Sequence, residues 1–383
     1  SSSAASDVYK RQGLYIHIPF CASRCIYCGF YSTTLPELQD KYVDALCREM
    51  ELRAALPDAE KHISTIYLGG GTPSQLTHEN LERLFLYIYK VYDVDPNAEI
   101  TMECNPDDVT TELLRGLPVN RVSMGMQTFD NNRLKFLHRR HDASEAIRAV
   151  DILRQAGIHN ISIDLMFGFP EETLDDWRSD ISQALALKPE HISAYSLMYE
   201  EGTTLGRMLE QGKVKEIDEE LSLEMYNVLI DTLSANGYDH YEISNFARTA
   251  ADGTSFRSRH NSSYWHDIPY LGIGASAHSY NKATRSWNVD NIKKYIEAIS
   301  NGILPSESEI IDSDTHYDDL ITTALRTKEG IDINGLEEKY RHHLLAEAQR
   351  HIAQGLLTLT DNRLSLSRKG LYVSDMVMSD LMM

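Results

Sequence analysis

Three cysteines fall within eight residues near the start of the chain: Cys21, Cys25 and Cys28, with three residues and then two between them. Three thiolates on one short loop can each take one iron of a cubane cluster, leaving the fourth iron without a protein ligand. Zinc is the plainer alternative, but a structural zinc site wants a fourth Cys or His close by, and a thioredoxin-type site wants only a pair. Cys47 sits in a helical pattern and reads as core. An open iron needs a bidentate ligand, and the amino and carboxylate groups of S-adenosylmethionine can chelate one. The run Gly69-Gly70-Gly71-Thr72-Pro73 follows the second strand pattern. Glycines there let backbone approach a ligand and present N–H and C=O groups to it. A tight strand–helix turn explains one or two of them, three less well. Later strand patterns also end on polar residues: Glu103, Gln127 and Asp164, with Arg139 downstream. A carboxylate suits an ammonium or ribose hydroxyls, an amide suits ribose or adenine, and a guanidinium suits a carboxylate. Any one of them reads equally well as a satisfied polar residue at a strand end, and it is their convergence that points to a ligand.

The elements that must position these residues alternate. Strand patterns over Leu14–Ile18, Ile63–Leu68, Glu99–Glu103, Arg121–Met124, Asn160–Met166 and His191–Leu197 are separated by helical patterns over Leu38–Leu56, Glu79–Tyr92, Thr111–Arg115, Ala143–Ala156 and Thr173–Leu187. Such alternation predicts a parallel sheet covered by helices. The fold class expected is α/β, an incomplete (β/α)6 barrel, whose strand ends open on one ligand-binding mouth. No Gly-x-Gly-x-x-Gly follows the first strand, which weighs against a dinucleotide fold. Residues 12–237 are assigned to the barrel. Glu216–Asn236 is expected as a long helix with an acidic, solvated first turn. Residues 238–310 read as a connecting region rich in glycine and aromatics. Residues 311–383, ending in the strand pair Leu356–Thr360 and Arg363–Ser367, read as a small C-terminal winged-helix-like domain. Residues 1–11 have no initiator Met, are rich in Ser and Ala, and read as a non-native leader.

Composition excludes several classes. Of 383 residues, 42% are hydrophobic, enough for a large core, and the formal net charge of −20 does not steer a protein towards nucleic acid or anionic lipid. Five cysteines, odd in number and mostly crowded, are no disulfide framework and fit a reducing compartment. With no apolar run long enough to span a bilayer and no signal-peptide pattern, the expectation is a soluble, cytoplasmic protein without a transmembrane segment and without a nucleic-acid partner.

On its cysteine motif, triple glycine and strand-end residues the chain resembles the radical S-adenosylmethionine superfamily. Within it, the chain resembles the group of oxygen-independent coproporphyrinogen III oxidase and the haem chaperone HemW. The likeness runs from Tyr15-Ile16-His17-Ile18-Pro19-Phe20-Cys21 through Asp164-Leu165-Met166-Phe167-Gly168-Phe169-Pro170 to the end domain. It implies a [4Fe-4S] cluster on Cys21, Cys25 and Cys28. It also implies S-adenosylmethionine contacts at Tyr15, Gly70, Gly71, Thr72, Glu103, Gln127, Arg139 and Asp164. Two departures separate the branches. Phe30 stands where the oxidase typically carries a further cysteine, and the lead before Tyr15 is shorter than the oxidase's. The Cys-x-Phe ending and His260-Asn261-Ser262-Ser263-Tyr264-Trp265 resemble the HemW branch instead. That branch implies haem as ligand and apo-haem proteins as recipients, with His260, Asn261, Tyr264 and Trp265 as candidate haem contacts. Rings can stack on a macrocycle and an imidazole can ligate iron. The plainer alternative has His260 capping a turn while Tyr264 and Trp265 pack in the core. His138, His141, His278, His342 and His343 follow no pattern of their own. Two functions follow: a haem carrier, or an enzyme that cleaves S-adenosylmethionine to a radical and decarboxylates porphyrinogen propionates.

Overall fold

A computed structural model describes residues 12–57 and 59–383; the leader expected over residues 1–11 lies outside them. Six strands with buried aliphatic residues at alternate positions form its centre: β1 (Gln12–Ile18), β2 (His62–Gly70), β3 (Asp93–Cys104), β4 (Arg121–Gln127), β5 (Ile161–Phe167) and β6 (His191–Ser196). They pair in sequence order, all parallel, as the β-then-α alternation requires. One face packs on helices α1 (Gln39–Ala54), α2 (His78–Val91), α4 (Ala143–Gln155) and α5 (Leu174–Ala186), through the main core of Leu14, Ile16, Leu68, Met102, Val122 and Ile163 with Leu46, Leu84 and Trp177, while the short α3 (Asn131–Phe136) sets Phe136 against a separate small cluster of Ile26, Leu137 and Phe169. Helix starts are set by side chains. Thr77 caps α2, and Asp142 with Glu145 and Thr173 with Asp176 form reciprocal capping boxes on α4 and α5. Cys104 and Cys47 are core residues, on the helix-facing side.

The opposite face, the bore, is polar. Thr65, Thr101, Arg121, Ser162 and His191 are buried there, where many β/α barrels stack branched apolar residues. The partners of this polar bore come from residues 238–310. Far from being a mere connection, that region extends both edges of the sheet to twelve strands, in the order β12-β11-β10-β9-β1-β2-β3-β4-β5-β6-β8-β7. After α6 (Thr204–Glu210) and α7 (Glu219–Ala235), β7 (Tyr238–Glu242) and β8 (Asn245–Arg248) run antiparallel beside β6. Then a short helix α8 (Arg259–Trp265) precedes β9 (Tyr270–Ile273), which pairs parallel with β1, and β10 (His278–Tyr280), β11 (Thr284–Asn288) and β12 (Ser306–Ile310) follow antiparallel. The barrel is therefore incomplete and its edges are covered. Contacts close its lower end: Arg121 Nη1 donates to the Phe256 carbonyl at 2.9 Å, and His191 Nε2 pairs with Tyr241 OH at 2.8 Å.

The small domain has its own core, built on Tyr317, Ile321, Leu344, Leu357, Leu364 and Leu381. Before it, α9 (Ile292–Ser300) still packs in the main core through Ile292, Tyr295 and Ile299; the domain itself comprises α10 (Ser313–Ala324), α11 (Glu338–Ala353) and a three-stranded antiparallel sheet, among other elements. One expected helix is absent. Thr111–Arg115 forms turns, because the segment is brief and ends at Gly116 in the left-handed region (φ 72°) just ahead of Pro118. The acidic run does open its helix, which starts three residues later than expected: Asp218 is the N-cap, and Glu219 and Glu220 form the first turn.

Candidate functional site

The cysteine loop lies between β1 and α1 and is tied at base and middle. The Cys21 N–H donates to the Thr33 carbonyl (2.9 Å) and the Thr33 N–H to the Pro19 carbonyl (2.7 Å), closing the base. Ile26, buried between the second and third cysteines, packs with Leu137, Phe169, Leu197 and Leu205, and its backbone bonds to Leu137 and Leu205. All three thiols are free and half-buried. Burial pushes the Cys21 and Cys28 thiols up, a penalty that a metal bound to the thiolates would offset. Arg139 Nη1 lies 3.6 Å from Cys25 Sγ, and Thr72 Oγ1 lies 3.5 Å from Cys21 Sγ. Among the described residues no three His, Cys, Asp or Glu side chains converge as ligands of one ion. Three thiols with no fourth donor suit a multinuclear cluster better than a closed zinc site.

The strand ends meet above this loop. Tyr67 OH donates to Glu103 Oε1 (2.8 Å) and the Gly70 N–H to Glu103 Oε2 (3.1 Å). Ser123 Oγ donates to both Asp164 oxygens, at 3.3 and 3.4 Å. Burial raises both acids, Glu103 to about 7 and Asp164 to about 6, so a cationic or hydroxyl-bearing ligand would draw the charged forms out. Gln127 ends β4 with φ 69°, a left-handed backbone at a register shift, which is the kind of local strain kept where a side chain must be aimed. Arg139 is held by the Gly125 carbonyl (2.6 Å) and Asn105 Oδ1 (2.8 Å). Thr101 Oγ1 is buried in the bore without a partner among the described residues.

The glycines serve the turn more than expected. A side chain on Gly70 (φ 114°) would meet the His17 ring at 2.5 Å, and one on Gly71 would meet Pro19 backbone at 2.7 Å. Their N–H groups are already given to Glu103 and to the Ile18 carbonyl. These two residues bring β2 against the base of the cysteine loop, so their N–H groups are not free for a ligand.

A second cavity, of about 490 Å³, adjoins the mouth across β1. That volume suits a small molecule. Phe30 and Tyr31 of the cysteine loop, Tyr264 and Trp265 of α8, and Tyr270 and Tyr280 of the β9–β10 pair supply its aromatic lining, with Tyr15, His17 and His278. Phe30 is 74% exposed, unusual for a phenylalanine on a well-packed loop. Tyr15 faces both spaces, its ring stacked beside Tyr67 and its hydroxyl bonded to His17 Nδ1 at 3.1 Å.

His260 and Asn261 do not line this cavity. The His260 ring is 1% exposed, with Nδ1 bonded to Thr65 Oγ1 and Nε2 to Tyr264 OH, both at 2.8 Å. Its N–H donates to Glu99 (3.0 Å), so it plugs the bore, and burial pulls its pKa down to about 3. For His260 the plainer alternative describes the geometry, whereas Tyr264 and Trp265 are placed at a cavity wall. His141 is likewise buried against the Met126 carbonyl and His343 bonds the Met382 carbonyl. Residues missed from sequence are Tyr67, Asn105, Ser123, His17 and Tyr31. The first and third could have been found from alternation alone, two residues before Gly69 and Gly125 on the bore face.

Residues 15–184 match the radical SAM superfamily, and residues 311–373 match the HemN C-terminal domain. The chain is 34% identical over 336 residues to the haem chaperone HemW of Lactococcus lactis subsp. lactis, covering 87% of this chain and 86% of that protein. It is 32% identical over 378 residues to the haem chaperone HemW of Mycobacterium tuberculosis, covering 97% and 94%. Among solved structures, coproporphyrinogen III oxidase (HemN) from Escherichia coli, a radical SAM enzyme, superposes with a TM-score of 0.82 over 99% of this chain and 92% of that one. At 22% identity this last likeness speaks for the fold alone.

Proposed function

Since the chain belongs to the HemW family of the radical SAM superfamily, we propose that it is a cytoplasmic haem carrier that binds haem beside an iron–sulfur site and passes it to apo-haem proteins. The superfamily implies a [4Fe-4S] cluster and S-adenosylmethionine. In this reading Cys21, Cys25 and Cys28 hold the cluster, which supplies an open iron and one-electron chemistry. Glu103, Asp164, Gln127, Arg139, Thr72 and Tyr15 hold S-adenosylmethionine at the strand ends. The two acids release protons as they take up its ammonium and hydroxyls.

One observation carries the carrier reading. Phe30, and Tyr264 with Trp265, are the residues whose types set this branch apart in sequence, and although more than 230 positions apart they line one cavity. A further cysteine at position 30 would offer that cavity a thiol, whereas phenylalanine offers a face for a macrocycle. The test uses anaerobically reconstituted protein. Added haem is expected to shift its Soret band and to move on to an apo-haem acceptor. With coproporphyrinogen III, a reductant and S-adenosylmethionine, no protoporphyrinogen is expected. Turnover at an enzymatic rate, or no Soret shift, would overturn the reading.

A further inference from the structure

Two histidines, His17 and His278, line the aromatic cavity, and His260 stands behind its wall. Their ring nitrogens differ in what they already do. His17 is bonded through Nδ1 to Tyr15 OH (3.1 Å) and through Nε2 to the Tyr31 carbonyl (3.0 Å). His260 has both nitrogens occupied and no exposed surface to speak of. His278 is exposed to the cavity, and its ring makes no hydrogen bond with any described residue.

We propose that His278 is the side chain that ligates haem iron in this cavity, an assignment that rests on the haem-carrier reading and deepens it. His278 opens β10, so it shares a face with Tyr280 two residues on. Its cross-strand partner is Trp287, whose ring centroid lies 6.1 Å away and limits how the imidazole can turn. The backbone beneath it is tightly placed. A side chain on Gly272 would lie 2.0 Å from the His278 carbonyl oxygen, so only glycine lets β9 approach this closely. Behind β9, the Gly274 N–H donates to the buried Glu49 carboxylate of α1 at 2.8 Å, and the Ala275 N–H donates to Tyr42 OH at 2.9 Å. A rigid strand thus offers one unengaged imidazole to a cavity walled by Tyr264, Tyr270, Tyr280 and Phe30. Partial burial and then the Arg285 charge lower its pKa, which keeps a nitrogen lone pair available at neutral pH. The Trp265 indole N–H, buried in the same wall without an acceptor among the described residues, is a donor that a haem propionate would satisfy.

The experiment is a ferric haem titration of the reconstituted full chain, read by absorption and electron paramagnetic resonance, for wild type, His278→Ala, His278→Gly and His260→Ala. Wild type and His260→Ala are expected to show the same histidine-ligated signature. The two His278 variants are expected to bind haem roughly tenfold or more weakly, to lose that signature, and to regain it with added imidazole. Unchanged iron–sulfur content in the variants reports that the fold is intact. A wild-type signature in His278→Ala, or a loss that imidazole restores in neither variant, would overturn the assignment while leaving the carrier reading standing. Absence of any haem signature in wild type would overturn both.

Discussion

The strand-end mouth and the aromatic cavity share Tyr15 and His17 at their common wall, yet they are built in different ways. The mouth takes its residues from the ends of successive strands, each set by local β-then-α rhythm. Its acids are buried and half-satisfied, Glu103 by Tyr67 and Gly70, Asp164 by Ser123. The cavity is assembled from segments far apart in sequence: the cysteine loop, α8, β9–β11 and the edge of α10. Its holding contacts are long-range, such as Glu49 of α1, which accepts from Gly274, Asn288 (2.7 Å) and Tyr295 (2.6 Å). The first is a site of charge and proton balance, the second one of shape and aromatic surface. The two should therefore fail independently.

The largest effect is expected at the cysteine loop. Cys21→Ala, Cys25→Ala or Cys28→Ala should each abolish iron and sulfide retention, measured after anaerobic reconstitution, because a cubane held at two corners is readily lost. If all three variants keep their iron and colour, the cluster assignment is wrong. Next comes Glu103→Gln, which should weaken S-adenosylmethionine binding by about ten- to a hundredfold in equilibrium dialysis while leaving haem binding unchanged. An equal loss of both ligands would mean that the two sites are one.

A pH series sharpens the same contrast. Glu103 sits near 7 in the ligand-free site, and ligand binding favours its ionised form. Affinity for S-adenosylmethionine should therefore fall about tenfold per pH unit as pH drops below 7, more steeply below about 6 where Asp164 also takes up a proton, and level off above 7. A flat profile from pH 5 to 8 would show that neither carboxylate meets the ligand.

Smaller effects separate scaffold from surface on the cavity side. His260→Ala leaves Thr65 and Tyr264 without partners in the bore, and should lower unfolding free energy by about 2–4 kcal/mol in denaturant titrations with little change in haem affinity. Phe30→Ala removes a ring that touches no core, so stability should hold while haem affinity drops about two- to tenfold. The reverse pattern, His260 mattering for haem and Phe30 only for folding, would exchange their roles.

The mouth was legible in sequence because its signals are local. Strand periodicity put Glu103, Gln127 and Asp164 at strand ends, and the structure brings them over the cysteine loop. What escaped was geometry between distant segments. Nothing around His278 distinguishes it from His342 or His343 until β9 is found parallel to β1, a pairing between residues more than 250 positions apart. Conversely, the signature at residues 260–265 drew attention to its histidine, whereas the fold buries that ring and turns the two aromatics to the cavity wall. Thr111–Arg115 forms turns for a local reason that the sequence itself carries, Gly116 and Pro118.

Haem in the aromatic cavity would lie beside the cysteine loop, and its magnetic behaviour tests that placement most directly. In protein loaded with both groups, the reduced cluster's unpaired spin should speed the relaxation of the ferric haem signal in electron paramagnetic resonance, because Phe30, two residues from Cys28, lines the haem cavity. The expected enhancement disappears in Cys28→Ala protein, which should still bind haem. Haem relaxation identical with and without the cluster would place haem elsewhere on the molecule and contradict the cavity placement.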